Sequence, residues 1–287
     1  MLKQIYRSLP KPVRFAAERQ FVATLPLLPL RQRIMLTYYK SYGRFPNLRD
    51  PKLYSEKLQA RKLSGVDLTP YIDKIRVKDF VQERCGDICI PTLYAGDRLP
   101  PVEERTWPLP FVIKTNHASG TNIFVREAPD WRAIEAKLDQ FLAHRHGEAT
   151  GEVFYLKVRP RMLVEPIIGN GIDAPQDYRF FVAGGEVQFI GLEQSPIDHR
   201  RVFYSRSWER LPIRDGYPVG TNAERPQSLK QMVEIAETLG RDLGFVRVDL
   251  YEVDGRVYFG EMTFTPSAGY MRFEPPEVDA ELGAKWL

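Results

Sequence analysis

The chain has 287 residues, 43% of them apolar and 27% charged, and carries 41 Lys+Arg against 37 Asp+Glu for a formal net charge of +4. That length can bury one large core or two modest ones, and the balance is that of an ordinary globular protein. The charge is too small to argue for nucleic acid but suits anionic small ligands, and two cysteines (Cys85, Cys89) with no Cys or His at metal-site spacing exclude a zinc site and point to reduced thiols in a cytoplasmic protein.

At the N-terminus, Lys3, Arg7, Lys11, Arg14 and Arg19 precede the apolar run FVATLPLLPL at 21–30. Pro26 and Pro29 interrupt that run, no small-residue cleavage site follows, and it is too short to span a bilayer. No other segment approaches a span. The basic start reads either as a helical extension packed on the body or as a peripheral contact with the inner face of the membrane or a membrane-bound partner. Residues 1–70 are expected to form this helical, basic extension.

Tyr71–Cys85, YIDKIRVKDFVQERC, has the spacing of one helix, with Ile72, Ile75, Phe80 and Val81 on a face. Pro91 to Pro110 is proline-rich and expected to hold a strand with loops. Residues 111–168 read as strand, loop, strand, helix, strand. The helix is Trp131–His144, with Asp130 as N-cap. Residues 178–192 form a hairpin across Gly184-Gly185, and Ser228–Leu239 forms a helix stopped by Gly240. The pattern predicts an α+β protein of mainly antiparallel sheets in two lobes, 71–168 and 169–287.

Four segments carry candidate chemistry. In PFVIKTNHASGTNIFV (110–125) a strand ends in Lys114, and the loop Thr115–Asn122 suits a hairpin flap whose N–H groups cover phosphates, or simply a flexible hairpin. RMLVEPII (161–168) is a strand ending in Glu165 and Pro166, suited to an adenine rim or to the core. In QDYRFFVAGGEV (176–187), Asp177 and Arg179 alternate with Tyr178; Asp198, Arg200, Arg201 and Tyr204 follow. Such a cluster suits phosphate or carboxylate binding, and equally a surface salt-bridge strip.

The fourth is GFVRVDLYEVDGRVYFGEMTFTPSAG (244–269), a hairpin turning at Asp254-Gly255. Arg247, Asp249 and Glu261 are costly if merely buried, and make sense if a metal ion and a bound anion share their charge; the pattern also suits a hairpin with a solvated charged face. A two-residue loop puts Asp249 opposite Gly260 and sends Glu261 to the other face. A three-residue loop centred on Gly255 puts Asp249 opposite Glu261 and Arg247 opposite Thr263, and this second register is expected.

Taken in order, DK…K, the strand-Lys-glycine loop, LVEPII, DxR on a hairpin and RVD…GEMTFTPSAG resemble the ATP-grasp ligases over roughly residues 70–270. FPNLRDPKLYSEKLQARKL (45–63), KTNHASGTNIFV (114–125), FYSRSWERLP (203–212) and the ending GEMTFTPSAGY make the chain similar, over nearly its whole length, to the TupA-like ATP-grasp group named for teichuronopeptide synthesis. The resemblance implies an ATP-grasp fold, two lobes holding ATP between them. It implies that Lys78 and Lys114 contact the phosphates, that His117, Ser119, Gly120 and Thr121 close over them, that Glu165, Pro166 and Ile168 read adenine, and that Asp177 holds the ribose. Asp249 and Glu261 would bind Mg2+, with Arg247 steadying the transferred phosphoryl group beside Lys114 and Arg179. Thr263 stands where the family usually has Asn.

The implied activity is an ATP- and magnesium-dependent ligase joining a carboxylate, a uronic acid of a surface polysaccharide or its precursor, to an amine or amino acid through an acylphosphate. A ligase of this type needs no nucleophilic side chain, and no Ser/His/Asp or Cys/His constellation is present. The alternatives are a glycan or sugar kinase on the same fold, a nucleotide-sugar glycosyltransferase, for which no convincing DxD motif exists, and a non-catalytic partner of a membrane-bound assembly.

Overall fold

The computed structural model describes residues 24–169, 175–194 and 199–286, together with Gln20. The basic residues Lys3, Arg7, Lys11, Arg14 and Arg19, and Asp198, lie outside the described residues. Helices α1 (Leu30–Tyr42), α2 (Tyr54–Leu63), α3 (Thr69–Ile72) and α4 (Val77–Cys85) lead into strands β1 (Tyr94–Gly96), β2 (Phe111–Thr115) and β3 (Asn122–Val125). After α5 (Trp131–Leu142) come β4 (Met162–Pro166), β5 (Asp177–Ala183), β6 (Glu186–Glu193), β7 (Arg201–Tyr204) and β8 (Arg210–Leu211). Helix α6 (Leu229–Gly240), the hairpin β9 (Phe245–Val253) and β10 (Arg256–Thr263), and α7 (Glu277–Lys285) complete the chain.

The strands form two antiparallel sheets, of order β1-β4-β2-β3 and β10-β9-β5-β6-β7-β8. This is the expected α+β architecture. In the smaller sheet, Ile134 and Leu138 of α5 pack on Phe111, Ile113, Met162 and Val164. Asp130 caps α5 by accepting from the Ala133 N–H at 3.1 Å.

Alternation gives the larger sheet two different faces. Phe180, Val182, Val246, Val248 and Leu250 point to one side, where Val81 of α4 and Met232, Val233, Ala236 and Leu239 of α6 bury them. On the opposite side, Phe181 and Phe245 pack with Phe189, Phe203 and Phe273 under Leu58 of α2 and Leu282 of α7. Each buried phenylalanine contributes about 1.5–3 kcal/mol. This second face is apolar only at one end: further along the same strands it carries Asp177 and Arg179 on β5, and Arg247 and Asp249 on β9.

Two helices differ from expectation. The segment Tyr71–Cys85 is not one helix but two, because the Asp73 carboxylate accepts from the Ile75 N–H at 2.9 Å and turns the chain between α3 and α4. Helix α6 includes Gly240 as its last residue rather than ending before it. Its start is capped from the sheet, by Glu252 accepting from the N–H groups of Gln227 (3.1 Å) and Ser228 (2.6 Å). Gly240 serves packing: a Cβ there would lie 2.5 Å from Val182 Cγ1. Among the described residues no helix is long and apolar enough to cross a membrane.

Replacing Gly240 with Ala would ordinarily strengthen a helix, but the contact with Val182 reverses the sign. Urea unfolding is expected to show G240A destabilised by about 1–3 kcal/mol, with the double variant G240A/V182A less destabilised than the two single costs predict.

Candidate functional site

The charged end of the larger sheet is set by the β9–β10 hairpin. Its loop is the two-residue type: Val253 pairs with Arg256, and Asp254 and Gly255 both have positive φ, 51° and 76°. The expected three-residue loop is therefore absent. The pairing shifts at Gly260, however, so that Phe259 faces Leu250 while Glu261 faces Asp249 and Thr263 faces Arg247. This β-bulge restores the expected juxtaposition by another route. It keeps Phe259 and Met262 both in the core and sends Glu261 and Thr263 to the charged face. Gly260 is needed for it, since a Cβ would sit 2.9 Å from the Asp249 carbonyl oxygen.

Arg247 gathers the cluster. Its Nε donates to Asp249 Oδ1 at 2.7 Å, and its Nη2 to Asp249 Oδ2 (2.5 Å), Glu261 Oε1 (3.1 Å) and Thr263 Oγ1 (3.1 Å). The Thr263 hydroxyl donates to Glu261 at 3.0 Å. Asp249 is 3% exposed, so the solvated-face reading fails. Burial pushes the Asp249 carboxyl upward against the pull of Arg247, while Glu261, also penalised by burial, is held below the ordinary range by Lys74 and Arg247. On the next strand Arg179, paired in register with Asp249, donates to Asp177 (2.8 Å) and Glu193 (2.7 Å). The second carboxylate oxygen of Asp177, Oδ1, is buried without a partner among the described residues.

The smaller sheet supplies the opposite wall. Glu165 on β4, 4% exposed, accepts from Lys114 of β2 at 2.7 Å and from Lys78 of α4; Lys78 also donates to the Ile90 carbonyl and Thr92 hydroxyl, each at 2.7 Å. Burial raises the Glu165 carboxyl, but the two lysines outweigh it and hold it below the usual value. Pro166 ends β4 and Ile168 follows, both half-buried.

The loop between β2 and β3 is tied at its base by the hydroxyls of Thr115 and Thr121, 2.6 Å apart. His117 is buried, with Nε2 3.1 Å from the His144 carbonyl oxygen, whereas Ser119 and Gly120 (φ 72°) are exposed at the tip. Lys74, in the turn between α3 and α4, reaches the same loop: its backbone N–H donates to Asn116 (3.1 Å) and its Nζ to the Ala118 carbonyl (2.6 Å).

Two cavities open between these walls. A smaller one of about 90 Å³ is lined by Lys74, Lys78, Lys114, Glu165, Gly260 and Glu261. A larger one of about 460 Å³ shares Lys74, Gly260 and Glu261 and adds Ser119, Arg247 and Thr263, with His146 and Glu152 beyond. Of the residues expected from the sequence, Lys78, Lys114, Glu165, Ser119, Arg247, Glu261 and Thr263 line one or other cavity. Asp249, Asp177 and Arg179 stand behind them along the sheet. His117, Gly120, Thr121, Pro166 and Ile168 lie on the surrounding loop and strand edge. Sequence reasoning gave no role to Lys74, which with Gly260 and Glu261 is common to both cavities, because a continuous helix through Tyr71–Cys85 gave it no turn to project from. The signal was Asp73, a residue that bonds its own backbone ahead.

Among the described residues no group of three or more His, Cys, Asp or Glu side chains could hold a metal ion. Asp249, Glu261 and Thr263 offer two carboxylates and a hydroxyl on neighbouring strands, a set of hard oxygen donors that suits Mg2+ when phosphate oxygens complete the shell.

Residues 52–287 match the family described as TupA-like ATPgrasp. No curated protein matches the chain. Solved structures similar to it include D-alanine–D-alanine ligase from Helicobacter pylori (16% identity, 76% of this chain and 61% of that one, TM-score 0.44). They also include an L-amino acid ligase from Bacillus licheniformis (17% identity, 72% and 47%, TM-score 0.45) and D-alanine–D-alanine ligase from Bacillus anthracis complexed with ATP (14% identity, 67% and 53%, TM-score 0.38). The chain thus spans about half to three fifths of the length of these proteins.

The Glu165 triad carries a pH signature. A carboxyl depressed by folding contributes stability that is present above its ordinary value of 4.5 and is lost as pH falls through the lower folded value. E165Q should therefore be less stable than wild type near neutrality, by about 1–3 kcal/mol because Lys78 and Lys114 keep some contact with water. Denaturant titrations should show that gap narrowing below about pH 4.5.

Proposed function

Because the chain belongs to the TupA-like ATP-grasp family, we propose that it is an ATP- and magnesium-dependent ligase that joins a carboxylate to an amine through an acylphosphate. The observation that carries this reading is the bulge at Gly260, which places Asp249, Glu261, Thr263 and Arg247 on one face, opposite Lys114 and Glu165 of the other sheet and Lys78 of α4. Under this reading the lobes are 71–168 and 169–287, with 1–70 as the extension, and the nucleotide lies between them.

In the smaller cavity Lys78 and Lys114 exchange the Glu165 carboxylate for phosphate oxygens. Glu165 with the backbone at Pro166 and Ile168 then reads the adenine edge, and Asp177 holds the ribose. The loop His117, Ser119, Gly120 and Thr121 covers the phosphates, with exposed Gly120 free to adjust because a Cβ there meets nothing within 4 Å. Asp249, Glu261 and Thr263 hold magnesium, whose charge offsets that of the phosphates. Arg247, and Arg179 behind it, orient and neutralise the γ-phosphoryl group as its bond to the ADP oxygen breaks and its bond to the carboxylate oxygen forms, ADP leaving with the electron pair. The amine, in its unprotonated form, then bonds through nitrogen to the acyl carbon as the C–O bond to phosphate breaks; phosphate leaves with the electron pair and the proton shed by nitrogen passes to solvent. The larger cavity, of about 460 Å³ and lined by Glu261 and Arg247, is where the two organic substrates would meet. The family resemblance directs the carboxylate reading to a uronic acid of a surface polysaccharide or its precursor, at the inner face of the membrane.

A thermal-shift titration tests the reading. ATP with magnesium is expected to raise the melting temperature of wild type by several degrees, from about 2.7 kcal/mol of stabilisation at a hundredfold excess over Kd, and to leave D249N unmoved. A shift with UDP-glucose or UDP-glucuronate and none with ATP would overturn it in favour of a nucleotide-sugar enzyme.

A further inference from the structure

The larger cavity is polarised. At its inner end stand the cations Lys74 and Arg247, beside Glu261. Its outer wall is the turn between α5 and β4. There Gly147 takes φ 77° and the Glu152 N–H closes onto the Gly147 carbonyl at 2.8 Å, which fixes the Glu152 side chain at the wall. A Cβ on Gly147 would meet the Glu152 carbonyl oxygen at 2.7 Å, so the turn needs glycine.

Glu152 is 6% exposed. Its carboxylate accepts from the hydroxyls of Thr265 (2.5 Å) and Thr150 (2.6 Å), and among the described residues it forms no salt bridge. A buried carboxylate is expensive unless a cation answers it. The buried Lys62 is near enough to feel its charge, but its Nζ donates to the carbonyls of Thr150 (2.9 Å) and Ala268 (2.6 Å) rather than to Glu152. Next to Glu152, the ring of His146 packs edge-on to Tyr155 with centroids 4.7 Å apart, and Tyr71 lines the same space. Three of the chain's four histidines, His117, His144 and His146, gather on this side.

We propose that this outer end is the amine site: a primary ammonium group lies against the Tyr155 ring, donates to Glu152 and to a His146 ring nitrogen, yields a proton to that nitrogen as it becomes the attacking amine, and so aims its substrate at the carboxylate held by Lys74 and Arg247. The assignment rests on the ligase reading and adds to it the end of the cavity each substrate takes. An ammonium answers the buried carboxylate, uses the free acceptor of an imidazole and gains a cation–π contact. Burial, with Lys74, His117 and His144 facing it, keeps the His146 imidazole below its ordinary value against the opposing pull of Glu152, so it is an acceptor near neutrality.

Ethanolamine is a compact probe and ethylene glycol its uncharged counterpart. Histidine side-chain NMR on the full chain, with the His146 signal assigned from H146Q, reads the site. Ethanolamine should move that signal saturably and ethylene glycol should not, and E152Q should weaken the response at least about tenfold, the factor expected for a lost charge-assisted hydrogen bond. Equal responses to the two probes, no response to ethanolamine, or a response unchanged in E152Q would overturn the assignment; the two-probe comparison on wild type decides even where E152Q does not fold. Magnesium–ATP binding is measured on the same samples. Its absence in wild type overturns the ligase reading, whereas its retention without an ethanolamine response overturns only the amine site.

Discussion

A buried guanidinium must find its full complement of acceptors or be expelled to water, and Arg247 finds three from two strands. Asp249 comes from its own strand, two residues on, while Glu261 and Thr263 come from β10, across the ladder. Asp249 in turn needs the arginine, because a carboxylate at that depth is costly alone, whereas the Glu261 side chain opens to the cavities. The two-residue turn by itself would leave Glu261 beside Phe259 and opposite Val248, a charge in an apolar core, and would turn Met262 to the charged face. The bulge removes that conflict, and with it the sheet acquires one face that is apolar throughout and another that changes from phenylalanine to charge along its length.

The charged half of that face needs a partner, and the smaller sheet supplies it. Lys74, Lys78 and Lys114 come from a turn, a helix and a strand, and none of the three is contributed by the larger sheet. Glu165 holds two of them as a placeholder anion. An anionic ligand entering there displaces a carboxylate rather than filling a void, so part of its binding energy goes to releasing Glu165. That exchange favours a ligand with several negative oxygens over a single carboxylate.

Much of this was legible in the chain because period-2 alternation reports both faces of a strand. It placed β5, β6, β9 and β10 and identified Arg247, Asp249, Glu261 and Thr263 as neighbours. The reason for their meeting was not legible. The Asp254-Gly255 turn announced a hairpin without announcing its length, and Gly260, glycine within a strand, was the sign of the bulge. The helix across Tyr71–Cys85 failed for a local reason: Asp73 satisfies its own backbone and ends α3, which leaves Lys74 in a turn with its ammonium on the Ala118 carbonyl. Gly240 looked like a stop and acts instead as a gap for Val182. Glu152 and His146 had no sequence signal, since their proximity to β10 and α3 arises only when the chain folds back.

The turn that carries those two residues is closed upon itself, by the Glu152 N–H on Gly147, and contributes no strand to either sheet. Its side chains can therefore be replaced while the two sheets keep their registers and the lysines keep their places. Under the proposed reading, a scaffold arranged this way separates what is held constant, the handling of phosphate, from what is free to diverge, the choice of acceptor. Recombining this short stretch among related chains is then a route to new products that leaves the engine untouched.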